Sequence, residues 1–389
     1  MINSKKLDID ALKSLSQTDW NWMLGEGKLP YVLNEMVKVS EEEAEAYYEA
    51  VNELYDMFVQ AGQYVIDTES YELLGIPESL IPLIEYSWEN DNHWHLYGRF
   101  DLAGGLAGQP IKLIEFNADT ATCIPETAIM QWAMLKANGL EETKQFNTLY
   151  ESLVEQFNQL AELNPEKERC LLVSTLEGYP EDDTNMAILS EAASDAGFEV
   201  DFQHIEKVVF SAKEGIFKVN EDGTYTRFDF WFKLVPWEYI AWDEPQLTSI
   251  LTNLVCSDKT IVLNPAYVML FQSKAILKVL WDLFPNHPLL LACDDKPLLD
   301  TQCVEKVLFG REGANVKILD ATGETHEAKE GEYAEQRKVY QEYVPFLQDE
   351  LGSYYQAGVF FAGEACGLGF RKGGKILDNQ AQFCGHFIA

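Results

Sequence analysis

Two short strands carry the most suggestive group of polar side chains in the chain. They are predicted at Trp94–Leu102 and Ile111–Asn117, and the glycine-rich connection GGLAGQP between them is typical of a β-hairpin. Because successive side chains of a strand alternate between its two faces, residues two apart share a face. If Asp101 lies opposite Glu115, one face of the hairpin carries Arg99, Asp101, Glu115 and Asn117 together.

This polar face has two interpretations. Carboxylate and amide oxygens are the ligands that Mg²⁺ prefers, and protein-bound Mg²⁺ commonly accompanies phosphate groups. A solvent-facing hairpin with one salt bridge explains the same residues equally well. Cys123, shortly after the second strand, could contact a thiol substrate, although a packed core cysteine is the simpler interpretation.

Two later segments could bind phosphate. A strand predicted at Val304–Phe309 runs into a loop with Gly310 and Gly313, whose backbone N–H groups could hold phosphate oxygens. It is not a Walker loop, because GxxxxGK[ST] is absent, and two glycines after a strand also make an ordinary turn. Arg371, in GLGFRK, could neutralise a transferring phosphoryl group or could form a structural contact with the acidic Asp378 nearby.

The elements that position these residues mix helices and strands. The first ninety residues are predicted to be helical, including one helix that Ser40 caps and that runs to about Gly62. Further helices are predicted at Glu126–Asn138, Lys144–Leu163, Asn185–Ala196 and Gln272–Leu283. Further strands are predicted at Cys170–Ser174, Glu199–His204, Phe228–Leu234, Thr260–Leu263 and within Gly352–Ile388. The strand–helix–strand rhythm between residues 168 and 265 indicates an α/β layer, within an α/β (α+β) fold class.

Charge and composition exclude some partners. The chain has 64 Asp and Glu against 29 Lys and Arg, a formal charge of −35, so we expect no binding to nucleic acid or to a membrane. The acidic surface is either simply solvated or attracts a cationic substrate such as a polyamine. The absence of a leader pattern and of a long apolar stretch predicts a cytoplasmic protein. The 7 scattered cysteines favour neither a disulfide framework nor a zinc site.

Six segments, in order along the chain, resemble the glutathionylspermidine synthase family, including its shorter bacterial members that lack an amidase domain. They are YGRFDLA (Tyr97–Ala103), IEFNADTATCIPETAIMQW (Ile114–Trp132), FKLVPWE (Phe232–Glu238), FPNHPLLL (Phe284–Leu291), GREGANV (Gly310–Val316) and GEACGLGFR (Gly363–Arg371). The resemblance implies a circularly permuted ATP-grasp fold. It also implies three domains: residues 1–165 with N-terminal helices and metal-binding strands, residues 166–267 with the pre-ATP-grasp α/β layer, and residues 268–389 with the nucleotide-binding lobe and C-terminal sheet.

The resemblance also implies residue roles. It places Mg²⁺ ligands at Asp101, Glu115 and Asn117, and catalytic arginines at Arg99 and Arg371. The ATP-binding residues would be Lys274, Lys306, the lid loop Gly310, Arg311, Glu312, Gly313, Ala314 and Asn315, and the adenine hinge Gln341, Glu342, Tyr343 and Val344. Substrate contacts would be Glu181, Asp182, Thr120, Thr122 and Cys123. Without the resemblance, Glu181 and Asp182 could equally be acidic residues that favour a helix N-terminus.

The implied activity is ATP-dependent joining of a carboxylate to an amine through an acyl phosphate, with a peptide acid such as glutathione and an amine such as spermidine as substrates. The alternatives are a non-catalytic nucleotide-binding or regulatory protein, and an enzyme that only phosphorylates its substrate. The chain departs from the family at Val307, commonly proline, and at Ala381-Gln382-Phe383, usually Ser-Arg-Phe. These departures weaken the prediction of the substrates more than they weaken the prediction of nucleotide binding.

Overall fold

The structure is a computed structural model that describes residues 1–25, 30–331 and 333–389. Its strands are β1 (Ser4–Lys6), β2 (Val32–Val39), β3 (Gly98–Ala103), β4 (Lys112–Asn117), β5 (Cys170–Ser174), β6 (Glu199–Phe202), β7 (Val209–Ser211), β8 (Gly215–Val219), β9 (Tyr225–Phe228), β10 (Phe230–Lys233), β11 (Ile261–Leu263), β12 (Cys293–Asp294), β13 (Cys303–Val307), β14 (Lys317–Leu319), β15 (Thr325–Ala328), β16 (Lys338–Glu342), β17 (Leu347–Gln348), β18 (Tyr354–Ala362), β19 (Glu364–Gly373) and β20 (Gln382–Ile388).

Helices connect and cover these strands. The α-helices are α1 (Glu41–Asp67), α2 (Ile81–Glu89), α3 (Gln131–Ala137), α4 (Leu149–Leu163), α5 (Pro180–Asp195), α6 (Trp237–Asp243), α7 (Pro245–Cys256), α8 (Met269–Gln272) and α9 (Ile276–Leu283). A π-helical turn at Pro125–Met130 runs into α3, and short 3-10 turns lie at Ala11–Gln17, Asn21–Leu24, Tyr71–Leu74, Glu78–Leu80, Ile205–Lys207 and Ala266–Val268. Among the described residues, none of these helices has the length and apolarity that crossing a bilayer requires.

The strands form four sheets, which confirms the predicted mixed α/β class. The largest has the order β1-β2-β20-β19-β18-β3-β4, with β17 paired to β18. A parallel sheet has the order β11-β10-β5-β6, and an antiparallel one the order β12-β16-β13-β14-β15. A small antiparallel sheet, β7-β8-β9, lies between β6 and β10 in sequence. The parallel sheet lies wholly within the predicted pre-ATP-grasp segment 166–267, whose boundaries stay a prediction.

Helix α1 shows how sequence and packing agree. Ser40 caps it through its side chain, which accepts from the Glu43 N–H at 3.1 Å, while Glu43 accepts from the Ser40 N–H at 2.9 Å. This capping box satisfies two N–H groups that a helix start leaves free. The inner face of the helix then buries Tyr47 and Phe58 against the largest sheet, where Phe58 packs on Phe100 of β3 with ring centroids 5.6 Å apart.

Four predictions of secondary structure need correction. The first ninety residues are not all helical, because β2 pairs in parallel with β20, a partner some 350 residues away that local periodicity cannot reveal. Helix α4 starts at Leu149 instead of Lys144, because the backbone of residues 144–148 hydrogen-bonds to the late strands, as when the Thr148 N–H donates to the Cys366 carbonyl at 2.7 Å.

The other two corrections concern site residues. Helix α5 starts at Pro180 instead of Asn185, since proline is well suited to the first helical turn and three acidic residues follow it there. The helix predicted at Gln272–Leu283 is broken: α8 ends at Gln272 and α9 begins at Ile276. The Ser273 hydroxyl, which donates to the Leu74 carbonyl at 2.7 Å, holds this break in place. Lys274 therefore lies at a turn between two helices.

Candidate active site

The hairpin face has the predicted register. Asp101 lies opposite Glu115 and Arg99 opposite Asn117 across the β3–β4 pair. Arg99 donates from Nε to Asp101 Oδ1 at 2.8 Å and from Nη2 to Oδ2 at 3.1 Å, a two-point contact that fixes both side chains. The Asn117 amide nitrogen donates to Asp101 Oδ2 at 3.1 Å, which leaves its carbonyl oxygen out of that bond. On the opposite face Phe116 is buried, whereas Ile114 is only half-buried and lines the cleft described below.

The same face continues across β18 and β19. Gly358 lies opposite Asp101, and Gln356 opposite Arg371, so Arg371 shares a surface with the hairpin residues although 272 positions separate it from Arg99. A Cβ at Gly358 would come within 3.1 Å of the Arg99 side chain. A larger residue at position 358 would therefore require the Arg99 side chain to shift by a few tenths of an ångström.

The two arginines converge near Cys123. Arg371 Nη1 lies 4.0 Å from Cys123 Sγ, and Arg99 Nη1 donates to the Thr122 carbonyl at 2.8 Å. Both guanidinium groups and the thiol line a small cavity of about 210 Å³. Burial and Glu126 raise the pKa of Cys123, an effect that Arg99 and Arg371 only partly oppose, so the thiol stays protonated and uncharged. Two fixed cations beside a neutral thiol make this cavity a good place for an anion.

A larger cleft of about 770 Å³ opens beside Glu115. Most of the residues predicted to bind ATP line it: Lys274, Lys306, Gly310, Glu312, Gly313, Ala314, Gln341, Glu342, Tyr343 and Val344. Arg311 and Asn315 of the same loop are not among its lining residues. The structure thus brings together the lid loop, both lysines and the hinge, which come from four separate parts of the sequence.

The lysines face Glu115. Lys274 Nζ lies 3.1 Å from Glu115 Oε2 and donates to the Gly310 carbonyl at 2.7 Å. Lys306 Nζ donates to the Ile114 carbonyl at 2.9 Å and to Gln341 Oε1 at 2.7 Å. Burial lowers the pKa of Lys306 to about 8, although Glu115 partly opposes this. Burial also raises the pKa of Glu115, but Lys274 and Lys306 outweigh it and the net shift is downward.

Sequence reasoning missed the apolar wall of this cleft. Its apolar side chains are Val304, Val307, Val316, Ile318, Phe346, Ile376 and Leu377, and they line the end where the predicted hinge lies. Most of them are single apolar residues in separate strands and loops, so no local pattern identifies them. An apolar slot with backbone polar groups at its edge suits a flat aromatic ring.

The donor set fits Mg²⁺. Asp101, Glu115 and Asn117 offer hard oxygen ligands on adjacent strands, whereas three or more His, Cys, Asp or Glu residues never cluster as a metal cage in the described ranges. Mg²⁺ in nucleotide-dependent enzymes is usually held by one or two carboxylates together with phosphate oxygens, and not by an all-protein cage. The role of these three residues as metal ligands stays a prediction.

The lid loop, residues 310–315, closes one side of the cleft. Gly313 has φ +69°, and a Cβ there would lie 2.3 Å from the Leu377 carbonyl oxygen, so this position requires glycine. Asn315 accepts from the Tyr333 N–H at 2.8 Å. Arg311 points away from the cleft and donates to Thr120 Oγ1 at 2.9 Å, which ties the loop to the segment after β4.

The proposed amine contacts lie in the first turn of α5, and not in a loop as the predicted start of the helix had implied. Burial together with Glu181 and Asp183 raises the pKa of Asp182 to about 7; Glu312 adds to this rise, and Arg311 opposes it. Asp182 is therefore electrostatically close to the lid loop. The start of α5 lies beside the predicted substrate segment, residues 120–123, because Asn185 Oδ1 accepts from the N–H of the next residue, Ile124, at 3.0 Å.

Tyr31, just before β2, contacts residues of the candidate site, although no local pattern in the sequence identifies it. Its hydroxyl donates to Glu126 Oε1 at 2.7 Å and lies 3.6 Å from Cys123 Sγ. Burial, together with the neighbouring Glu126, raises the pKa of Tyr31 well above its ordinary value, so its hydroxyl acts as a donor. Strand β2, which positions Tyr31, was not predicted from the sequence, and this contact was therefore not predicted either.

Comparison with known proteins agrees with this geometry. The family profile described as "Glutathionylspermidine synthase preATP-grasp" matches residues 3–389. A Haemophilus influenzae protein with the provisional name acid–amine ligase is 30% identical over 352 residues, covering 87% of this chain and 86% of that protein. The Escherichia coli bifunctional glutathionylspermidine synthetase/amidase is 27% identical over 367 residues, covering 87% of this chain and 56% of that protein.

Two more relatives extend the comparison. The Crithidia fasciculata trypanothione synthetase is 26% identical, and the alignment covers 84% of this chain and 52% of that protein. The chain thus spans about half the length of these two longer relatives. In fold alone, it resembles a glutathione synthetase-like effector from Globodera pallida, with a TM-score of 0.52, 10% identity and 98% coverage of both chains. Because the profile matches almost the whole chain, this protein belongs to the glutathionylspermidine synthase family.

Proposed function

We propose that the protein is an ATP-dependent, ADP-forming ligase that joins the carboxylate of one small molecule to the amine of another. The observation that carries this proposal is a row of charged side chains on neighbouring strands. It runs from the cleft with its two buried lysines, across Asp101 and Glu115, to the cavity with its two arginines. Such a row suits a nucleotide triphosphate whose terminal phosphate lies beside a second anion.

In this proposal the nucleotide occupies the larger cleft. The adenine lies against the apolar wall with its edge at Gln341–Val344, and Lys274 and Lys306 hold the phosphates. Mg²⁺ held by Asp101, Glu115 and Asn117 would neutralise charge on the phosphate oxygens. The lysines would thus bind the phosphates of the nucleotide, and the carboxylates would bind the metal ion.

The reaction then has two steps. An oxygen of the acid substrate's carboxylate attacks the γ-phosphorus, the bond from that phosphorus to the ADP oxygen breaks, and an acyl phosphate forms. Arg371 and Arg99, fixed beside the small cavity, stabilise the charge that develops on the transferring group. The amine nitrogen, after losing a proton, attacks the acyl carbon; the C–N bond forms and inorganic phosphate leaves with the electrons of the C–O bond.

The amine enters from the side of α5. Glu181 and Asp182 place two carboxyl groups near the lid loop, where a cationic amine would relieve the crowding of negative charge that raises the pKa of Asp182. Thr120, Thr122 and Cys123 lie between this helix and the arginines and would contact the acid. The names of the relatives suggest a peptide acid such as glutathione and a polyamine such as spermidine as first substrates to test.

A substrate screen tests the proposal. Purified protein is incubated with ATP and Mg²⁺ over a matrix of peptide acids crossed with amines, and ADP release and product mass are measured. We expect ADP release that needs both partners and a product equal to acid plus amine minus water. ADP release that needs only the acid would indicate a phosphotransferase. ATP binding without turnover for any pair would indicate a nucleotide-binding protein.

A further inference from the structure

Glu238 is a buried carboxylate outside the cleft that contacts the lid loop. It lies in α6, its side chain is fully buried, and its Oε1 accepts from Arg311 Nη2 at 2.9 Å. Arg311 also donates from Nη1 to Thr120 Oγ1 at 2.9 Å. One lid-loop arginine therefore bridges the α6 carboxylate and the proposed substrate segment.

The contact between Arg311 and Glu238 leaves one hydrogen-bonding atom of each side chain without a partner. Glu238 Oε2 and Arg311 Nε are both buried and have no hydrogen-bond partner among the described residues. A guanidinium can bind a carboxylate side-on through Nε and Nη2 together, and such two-point contacts are the strong ones. The two unpartnered atoms are the pair that would complete this geometry, so a small rotation of Arg311 would close it.

The carboxylate side of the contact is held rigidly. The preceding residue, Trp237, donates its backbone N–H to Asp119 at 2.9 Å and its indole N–H to the Asn264 carbonyl at 2.9 Å. Asp119 is in turn paired with Lys233 at 3.0 Å, both side chains being fully buried. Arg311, by contrast, belongs to a loop. If this contact breaks, we therefore expect the loop to move while the carboxylate stays in place.

We propose that Glu238 is a positioning residue that holds the lid loop closed through Arg311. Glu312 of the same loop contributes to the raised pKa of Asp182, so the docked loop lies near the proposed amine contacts. This inference rests on the proposed ligase function for its kinetic consequence, which is that a closed lid keeps water from the acyl phosphate. Its structural part, the docking of Arg311 on Glu238, can be tested without any turnover.

Trypsin cleavage after Arg311 tests the docking directly, with the whole protein. Cleavage there is compared with cleavage after Lys213, in the exposed turn between β7 and β8, by mass spectrometry over time. We expect Glu238→Gln to raise the rate of cleavage after Arg311, relative to the rate after Lys213, at least tenfold, because docking protects Arg311 in the wild type. A matched control, Glu41→Gln, removes an exposed ion-pair partner of Lys144 and leaves the ratio unchanged.

Thr120→Val serves as the second variant, because Glu238→Gln could destabilise the whole protein and speed both cleavages alike. It removes the other bond to Arg311 without leaving a buried charge, and we expect a selective rise at Arg311 of about threefold. If neither variant changes the ratio of rates, Arg311 is not held by this contact and the inference is wrong. A selective rise in either variant supports it.

The number of ADP molecules released per amide formed measures the catalytic consequence of holding the lid loop closed. We expect Glu238→Gln to release at least three ADP per amide formed, against one in the wild type, since an open lid admits water to the acyl phosphate. A lower kcat with an unchanged ratio would mean that Glu238 only stabilises the fold, and would overturn its positioning role. If the wild type forms no amide, the proposed ligase function fails, and the trypsin result still decides whether the loop is docked.

Discussion

The pH dependence of ATP binding follows from the burial of Lys306. Burial lowers its pKa to about 8, so it is protonated at pH 7 and mostly neutral at pH 9. Bound phosphates would raise its pKa back to or above the ordinary lysine value of about 10.4, because they favour the charged form. Binding of ATP should therefore take up a proton whenever Lys306 is neutral beforehand.

The magnitude follows from these two pKa values. The protonated fraction of a group with a pKa of about 8 falls from roughly 90% at pH 7 to roughly 10% at pH 9. The apparent Kd for ATP should then rise about tenfold between these pH values, which corresponds to about 1.4 kcal/mol. Proton uptake per ATP bound should rise over the same range from roughly 0.1 to roughly 0.9.

Calorimetry in buffers of different ionisation heat, at saturating Mg²⁺, measures both quantities. Lys306→Arg is the matched control, because a guanidinium stays charged over this range and should flatten the pH dependence. Proton uptake near zero at pH 9 in the wild type, or an equal pH dependence in Lys306→Arg, would refute the reasoning.

Three further predictions concern the remaining site residues. Glu115→Gln should reduce Mg²⁺-dependent ADP release at least about 100-fold, as loss of a metal ligand does; unaltered release over a range of Mg²⁺ concentrations would exclude the metal role. Arg371→Met should lower kcat at least about 100-fold while changing the KM for ATP little, because its charge acts mainly on the transition state; a change confined to KM would make it a binding residue. Glu181→Gln combined with Asp182→Asn should raise the KM for the amine about tenfold and leave the KM for ATP unchanged. A loss of about 1 kcal/mol of stability with normal kinetics would instead make the pair only a helix-start feature.

Local rules predicted the hairpin because its information is local. Alternation of faces groups Arg99 with Asp101 and Glu115 with Asn117, and the structure has the pairing of Asp101 with Glu115 that the sequence analysis assumed. The capping box at Ser40 is likewise contained within four residues. At these two places the structure depends on neighbours in sequence, and the local pattern was sufficient to predict it.

Elements whose partners are distant could not be predicted in this way. Strand β2 exists because β20 pairs with it, and without that partner its sequence VLNEMVKV has no clear strand alternation. Tyr31 reaches Glu126 only because β2 is placed there. The break at Lys274 depends on a bond from Ser273 to Leu74, 199 positions away. Each of these misses concerns a contact that local periodicity does not encode.

The hairpin and the parallel sheet are joined by a buried side chain whose partners are also distant in sequence. Asn264, just after β11, accepts from the Leu96 N–H at 2.9 Å through Oδ1 and donates from Nδ2 to the Tyr97 carbonyl at 3.0 Å and the Asp119 carbonyl at 2.9 Å. Those residues precede β3 and follow β4, so a single buried amide links both ends of the β3–β4 hairpin to the sheet next to α5. In the sequence it is only an asparagine before a proline, a pattern typical of a turn. Residue types thus suggest what chemistry each piece of the site could perform, whereas the placement of the arginines relative to α5 depends on contacts such as this one, which spans more than 140 residues.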